Sequence, residues 1–191
     1  MSELSRRDLL KAAALATAGI ATAGPFTNAI AENVSAITHP DLAPPAPAAR
    51  KSMRGVPFEK HDVVRIGMVG TGLRGKSLLK DLLGVPNVKI VALCDLVPEK
   101  AQQASKMAVD AGQAQPALHT GSDHAFEQLV ARDDIDLVYT ATPLEWHTPV
   151  MLAALAHGKH AASECPIGTT LKDLWALVDA SEKAQKHCMQ L

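Results

Sequence analysis

Residues 63 to 75, VVRIGMVGTGLRG, constrain this chain more than any other stretch, because a buried-strand pattern runs straight into a glycine turn that opens a helix. Val63, Val64, Ile66, Met68 and Val69 make an apolar, largely β-branched run suited to a strand covered on both faces, as in a parallel sheet. Gly70, Gly72 and Gly75 then spell G-x-G-x-x-G. The first glycine permits the tight turn, the second lets the backbone approach a pyrophosphate, and the third lets the helix pack close to the strand. The predicted helix, Leu73 to Leu83, aims its free N–H groups and the positive end of its dipole at that same point, where an anion is favoured.

The residues after the glycines decide their meaning. A second strand is predicted at Val88 to Leu93, ending in Cys94 and Asp95, and Asp95 stands 20 residues after Gly75. At that distance a carboxylate meets the adenosine ribose of a dinucleotide. It accepts hydrogen bonds from ribose hydroxyls and repels a 2′-phosphate, and Leu96 supplies no cation to reverse that, so NAD is expected over NADP. Loop glycines with Asp95 as a helix cap is the competing reading. It explains the residues singly but not their order.

Composition narrows the rest. With 47% hydrophobic and 20% charged residues the chain has an ordinary globular make-up, and its 191 residues hold one domain with room for part of a second. A net charge of −1 without a basic cluster, and only 3% aromatic residues, exclude a nucleic-acid surface. Cys94, Cys165 and Cys188 are odd in number and far apart, without a C-x-x-C, and are read as buried thiols, neither a disulfide framework nor a metal site. No metal is expected.

The N-terminus, Ser5-Arg6-Arg7-Asp8-Leu9-Leu10-Lys11, leads into a small-residue apolar run from Ala12 to Ala23 and resembles a twin-arginine export signal. A membrane anchor ranks lower, since the run is short, rich in Ala, Thr and Gly, and followed by Pro25. Ala29-Ile30-Ala31 is one cleavage candidate and Ala21-Thr22-Ala23 another. The expected organisation is a signal at 1–31, a proline-rich leader at 32–62 and a nucleotide-binding domain at 63–191. Export would engage the twin-arginine translocon and place the protein in the periplasm or another extracytoplasmic space. Free NAD is scarce there, so tight retention of the cofactor is expected.

From Val63 onward strands and helices alternate, which calls for an α/β fold: a Rossmann-type parallel sheet with helices on both faces. The further predicted elements are a helix at Pro98 to Ala111 and a short strand within Pro116 to Gly121. A helix to Val130 capped by Ser122 or Asp123 and a strand at Asp136 to Ala141 come after these. Next are a loop at Thr142 to His147, a helix at Pro149 to His157, and a strand at Lys159 to Ser163. A helix at Leu171 to Gln185, opened by Thr169 or Thr170, precedes a strand beginning at His187. The loops after the strands, at 70–75, 142–147 and 164–166, sit at carboxyl ends and should line one cleft.

GTGLRG at 70–75, ALCD at 92–95, ATPLEWH at 141–147 and ECP at 164–166 together resemble the Gfo/Idh/MocA oxidoreductase superfamily. More narrowly, residues 55–75, the EWH step and LWALVDASEKAQKHCM at 174–189 are similar to glycoside hydrolase family 109, NAD-dependent enzymes of the α-N-acetylgalactosaminidase type. The resemblance implies that Leu73 and Arg74 meet the pyrophosphate and Asp95 the adenosine ribose. It puts Leu144, Glu145, Trp146 and His147 along the nicotinamide side and Glu164 with Cys165 at the nicotinamide ribose. Three plainer readings stand beside these: Trp146 as core, His147 as a cap of the next helix, Glu145 as a solvated carboxylate. His157, His160 and His187 are read as structural or surface residues.

Ordinary dehydrogenases of the superfamily carry Glu-Lys-Pro where this chain has Glu164-Cys165-Pro166, and a neutral thiol does not replace an ammonium donor. The departure agrees with the glycosidase branch. The chemistry that branch implies is transient oxidation at C3 of a sugar, removal of the C2 proton, loss of the glycosidic oxygen, addition of water and re-reduction, with no net oxidation. The expected partner is a small-molecule sugar, and a homo-oligomer is compatible with the family. The substrate domain and the catalytic residues are expected beyond Leu191, so residues 1–191 alone should lack activity. The alternatives are a sugar dehydrogenase of the same superfamily and a stand-alone NAD-binding module.

Overall fold

A computed structural model describes residues 51–191. The expected export signal, both cleavage candidates and residues 32–50 of the leader lie outside the described residues. Six strands build one sheet: β1 (Val64–Val69), β2 (Val88–Asp95), β3 (Ala117–Thr120), β4 (Leu137–Thr140), β5 (His160–Ser163) and β6 (Cys188–Gln190). Their order is β3-β2-β1-β4-β5-β6, and every neighbouring pair is parallel. This is the doubly wound arrangement, whose direction of winding reverses between β1 and β4.

Five helices connect the strands: α1 (Leu73–Leu83), α2 (Pro98–Asp110), α3 (Phe126–Val130), α4 (Leu144–Ala156) and α5 (Leu171–Ala184). Strand alternation sends side chains to opposite faces. Ile66, Met68, Ile90 and Leu93 pack with Leu78 and Leu79 of α1 and Ala104 of α2. Val69, Ala92 and Val138 pack on the other face with Leu129 of α3, Val150, Met151 and Leu155 of α4, and Leu177 of α5. Each face is therefore dry, which is why the strands read as near-continuous apolar runs.

Local signals account for several boundaries. Pro98 occupies the first turn of α2, where a missing N–H costs nothing. Thr170, not Thr169, opens α5 through a capping box: its Oγ1 accepts from the Asp173 N–H while Asp173 accepts from the Thr170 N–H. Two expectations fail. Neither Ser122 nor Asp123 caps α3, whose N-cap is Ala125 without a side-chain bond; Ser122 Oγ accepts from the His124 N–H and holds the preceding turn instead. And α4 begins at Leu144, five residues before Pro149. Proline is a favoured helix start, but here it sits inside the helix, leaving only the Glu145 carbonyl without its helical donor. Leu144 to His147 are thus the first turn of a helix rather than a loop.

Part of the leader is anchored. The Phe58 ring lies over His187 with centroids 3.8 Å apart, Lys186 Nζ pairs with Glu59, and Gln185 Nε2 donates to the Lys51 carbonyl at 2.8 Å. Among the described residues no helix is long and apolar enough to cross a membrane.

Candidate cofactor site

The switch point between β1 and β4 is where the glycines act. Gly70 has φ +87°, and its N–H donates to the Cys94 carbonyl at 2.8 Å, tying the turn to the end of β2. A Cβ on Gly75 would stand 2.0 Å from the Gly70 carbonyl oxygen, so α1 touches the turn that launches it. Gly72, by contrast, has nothing within 4 Å of where its Cβ would be. It is the N-cap of α1, with no side-chain cap and no acid in the first turn. The helix thus presents its free N–H groups to open space, the setting in which a phosphate binds.

Beyond Gly72 lies a cleft of about 410 Å³, lined among others by Gly70, Gly72, Asp95, Lys100, Thr142 and Trp146. Such a volume suits a small-molecule ligand. Asp95 ends β2 with its carboxylate held from two directions. Oδ2 accepts from the Thr71 N–H at 2.7 Å and from Thr71 Oγ1 at 3.0 Å, and Oδ1 accepts from the Val97 N–H at 3.0 Å. Leu96 is exposed and lines the same cleft with an apolar side chain that brings no charge. The fold nevertheless brings a cation to this cleft from further along the chain, Lys100 on α2.

Glu164 comes directly after β5 and accepts from Arg74 Nη2 at 2.9 Å and from the Tyr139 hydroxyl at 3.1 Å. The guanidinium bond holds the Glu164 carboxyl below the usual carboxylate range. Burial, with Glu164's charge beside it, pushes the Tyr139 phenol up to about 12, so it remains a donor. Leu73 is almost fully exposed beside them at 91%. Cys165 is exposed too, which corrects the reading of all three cysteines as buried; its Sγ reaches the Leu191 carbonyl at 3.3 Å. Cys94 is the buried one, its thiol pushed up to about 12 chiefly by desolvation, and Cys188 is half-buried, raised to about 11 by the same cause.

The first turn of α4 divides its residues. Leu144 and Glu145 face solvent. Trp146 serves both readings, lining the cleft while its ring packs edge-on against Phe126 at 5.8 Å between centroids. His147 is 1% exposed. Its Nδ1 lies 2.8 Å from the Pro166 carbonyl and its Nε2 2.9 Å from the Thr142 carbonyl. It therefore does not cap the helix, and both ring nitrogens are taken up by the loops after β4 and β5 that it joins.

Thr71, Tyr139 and Lys100 are missed by sequence reasoning. Thr71 is the unspecified residue between two motif glycines, and Lys100 is one of many surface lysines. Tyr139 left a trace, being the chain's single tyrosine.

Compared with known protein families, residues 64–190 match the Gfo/Idh/MocA family model, described as an oxidoreductase family with an NAD-binding Rossmann fold. This chain belongs to the Gfo/Idh/MocA family. Its domain binds NAD, and the glycine turn, the uncapped α1 and Asp95 are the residues that fit that cofactor. Among curated relatives of this Gfo/Idh/MocA chain, a glycosyl hydrolase family 109 protein of Saccharopolyspora erythraea is 46% identical over 98% of the chain and 39% of its own length. A glycosyl hydrolase family 109 protein of Phocaeicola vulgatus is 47% identical over 78% of the chain and 31% of its length. The chain thus spans well under half the length of these relatives. Among solved structures, an NAD-binding protein of Listeria innocua matches with a TM-score of 0.57 and 27% identity, covering 66% of this chain and 34% of that one. A scyllo-inositol dehydrogenase of Lactobacillus casei matches with a TM-score of 0.58 and 26% identity, covering 68% and 36%.

Proposed function

We propose that this domain is the cofactor half of an exported NAD-dependent glycosidase acting on N-acetylgalactosaminides. The observation that carries the reading is the 46% identity to a glycosyl hydrolase family 109 protein along 98% of the chain. Cys165 supports it, since the lysine that serves ordinary dehydrogenases of the superfamily is absent from that position. When bound, NAD supplies the hydride acceptor and donor for transient oxidation at C3 of the sugar. Everything else falls to the polypeptide. The N-terminus of α1 with Gly72, Leu73 and Arg74 holds the pyrophosphate. Asp95 takes the adenosine ribose, which favours NAD over NADP. Trp146 walls the cleft, and Glu164 with Cys165 meets the nicotinamide ribose. The residues that remove the C2 proton and protonate the leaving group belong to a substrate domain that residues 1–191 do not include.

Arg6 and Arg7 support export by the twin-arginine route to the periplasm, and a retained, internally recycled cofactor suits such a compartment. The assay uses a complete protein containing this domain, with an aryl N-acetylgalactosaminide as substrate. Release of the aryl alcohol without net NADH, lost when the cofactor is stripped, is the expected result. Net NADH accumulation with an intact glycoside would establish the sugar dehydrogenase instead. NAD binding with neither outcome would leave a binding module.

A further inference from the structure

Thr71 is 0% exposed, yet both its donors leave the core for one atom, Asp95 Oδ2, at 2.7 Å from the backbone N–H and 3.0 Å from Oγ1. A carboxylate oxygen has two lone pairs. Thr71 fills both on Oδ2, and the Val97 N–H takes one on Oδ1 at 3.0 Å. The acceptor capacity that remains belongs to Oδ1, on a residue that lines the cleft. The turn bearing Thr71 is itself fixed, since the Gly70 N–H is bonded to the Cys94 carbonyl at 2.8 Å. Three donors from two loops thus fix the rotation of this carboxylate, which a single bond would leave free about χ2.

Orientation matters here because the cleft also contains Lys100. An ammonium attracts a phosphate, and a carboxylate able to turn away would leave that attraction unopposed. We propose that Thr71 is a positioning residue that sets cofactor specificity: it pins Asp95 so that Oδ1 receives a ribose hydroxyl and the negative charge stays where a 2′-phosphate would have to sit. The inference rests on the assignment of Asp95 to the adenosine ribose.

The test is titration calorimetry of NAD and NADP on the protein and on its Thr71→Val, Thr71→Ala, Thr71→Ser and Asp95→Ala variants. Thr71→Val keeps the branched volume and the backbone donor but loses the hydroxyl. It is expected to weaken NAD about fivefold, less than the roughly tenfold or more of a whole hydrogen bond to a charged group because the backbone donor still holds Oδ2, with a smaller effect on NADP, so that the ratio of the two affinities narrows. Thr71→Ser should restore the ratio. Thr71→Ala, which places no methyl against the carboxylate, gives the same reading should the valine variant fail to fold. Unchanged NAD and NADP affinities in a folded variant, or equal losses for both, with Asp95→Ala still losing NAD, would overturn the role of Thr71 and leave the Asp95 assignment standing. Unchanged NAD affinity in Asp95→Ala would overturn both.

Discussion

Arg74 and Glu164 hold each other, the Nη2 of one donating to the Oε1 of the other at 2.9 Å, so that the first turn of α1 is joined to the end of β5. Each is also expected to meet a different part of the dinucleotide. On that expectation the pair would span the path between the pyrophosphate and the nicotinamide ribose. With Arg74 mostly exposed, its attraction to a phosphate is screened by salt. Arg74→Ala should weaken NAD binding by about fivefold at low ionic strength, with the difference shrinking as salt is added. Calorimetry at two salt concentrations checks this, and a loss independent of salt would contradict it.

Two glycines of one motif should respond in opposite ways to alanine. At Gly75 the added Cβ would stand 2.0 Å from a backbone oxygen. Since backbone yields little, Gly75→Ala should cost about 3 kcal/mol or more of stability. At Gly72 the Cβ enters open space, so Gly72→Ala should melt like the parent yet bind NAD at least about tenfold more weakly, its methyl occupying the approach to the phosphates. Thermal melts set beside calorimetry separate the two.

His147 predicts a stability effect. Its ring donates to whichever carbonyl its tautomer serves, and to both when it carries two protons. His147→Leu would leave the Thr142 and Pro166 carbonyls in a buried setting without that donor, at a cost of about 2–4 kcal/mol. Urea unfolding measures it. An unchanged midpoint together with lost NAD affinity would show instead that the ring reaches the cofactor.

Acid stability should depend on Asp136. Its carboxylate accepts from Arg65 through the backbone N–H at 2.8 Å, Nε at 3.0 Å and Nη2 at 2.6 Å, pinning the starts of β4 and β1 together. The guanidinium bond lowers its pKa in the folded state. The stabilisation is therefore complete above the unfolded carboxylate value of about 3.9 and is lost as pH falls through the lower folded value. Asp136→Asn should flatten the acid limb of a stability-versus-pH curve, while costing about 1–3 kcal/mol at neutral pH. A curve of unchanged shape would remove Asp136 from the account.

Local patterns in the chain settle the elements and their order. Strand, glycine turn, helix, strand and acid are written in apolar period and turn chemistry within some thirty residues, and the structure reproduces them within a residue or two at β1, α1 and β2. The family, too, is legible in short motifs at strand ends. What those side chains hold is a matter of tertiary packing. Pro149 reads locally as a helix start, but packing of Val150, Met151 and Leu155 on the sheet carries α4 one turn further back, because burial outweighs the one helical bond a proline removes. That shift turns His147 inward, between two carbonyls. Thr71 and Asp95 are 24 positions apart, and Arg74 and Glu164 are 90 apart. Hydrogen bonds across such separations exist only once parallel strands stack their carboxyl ends together, so no local pattern could have announced them.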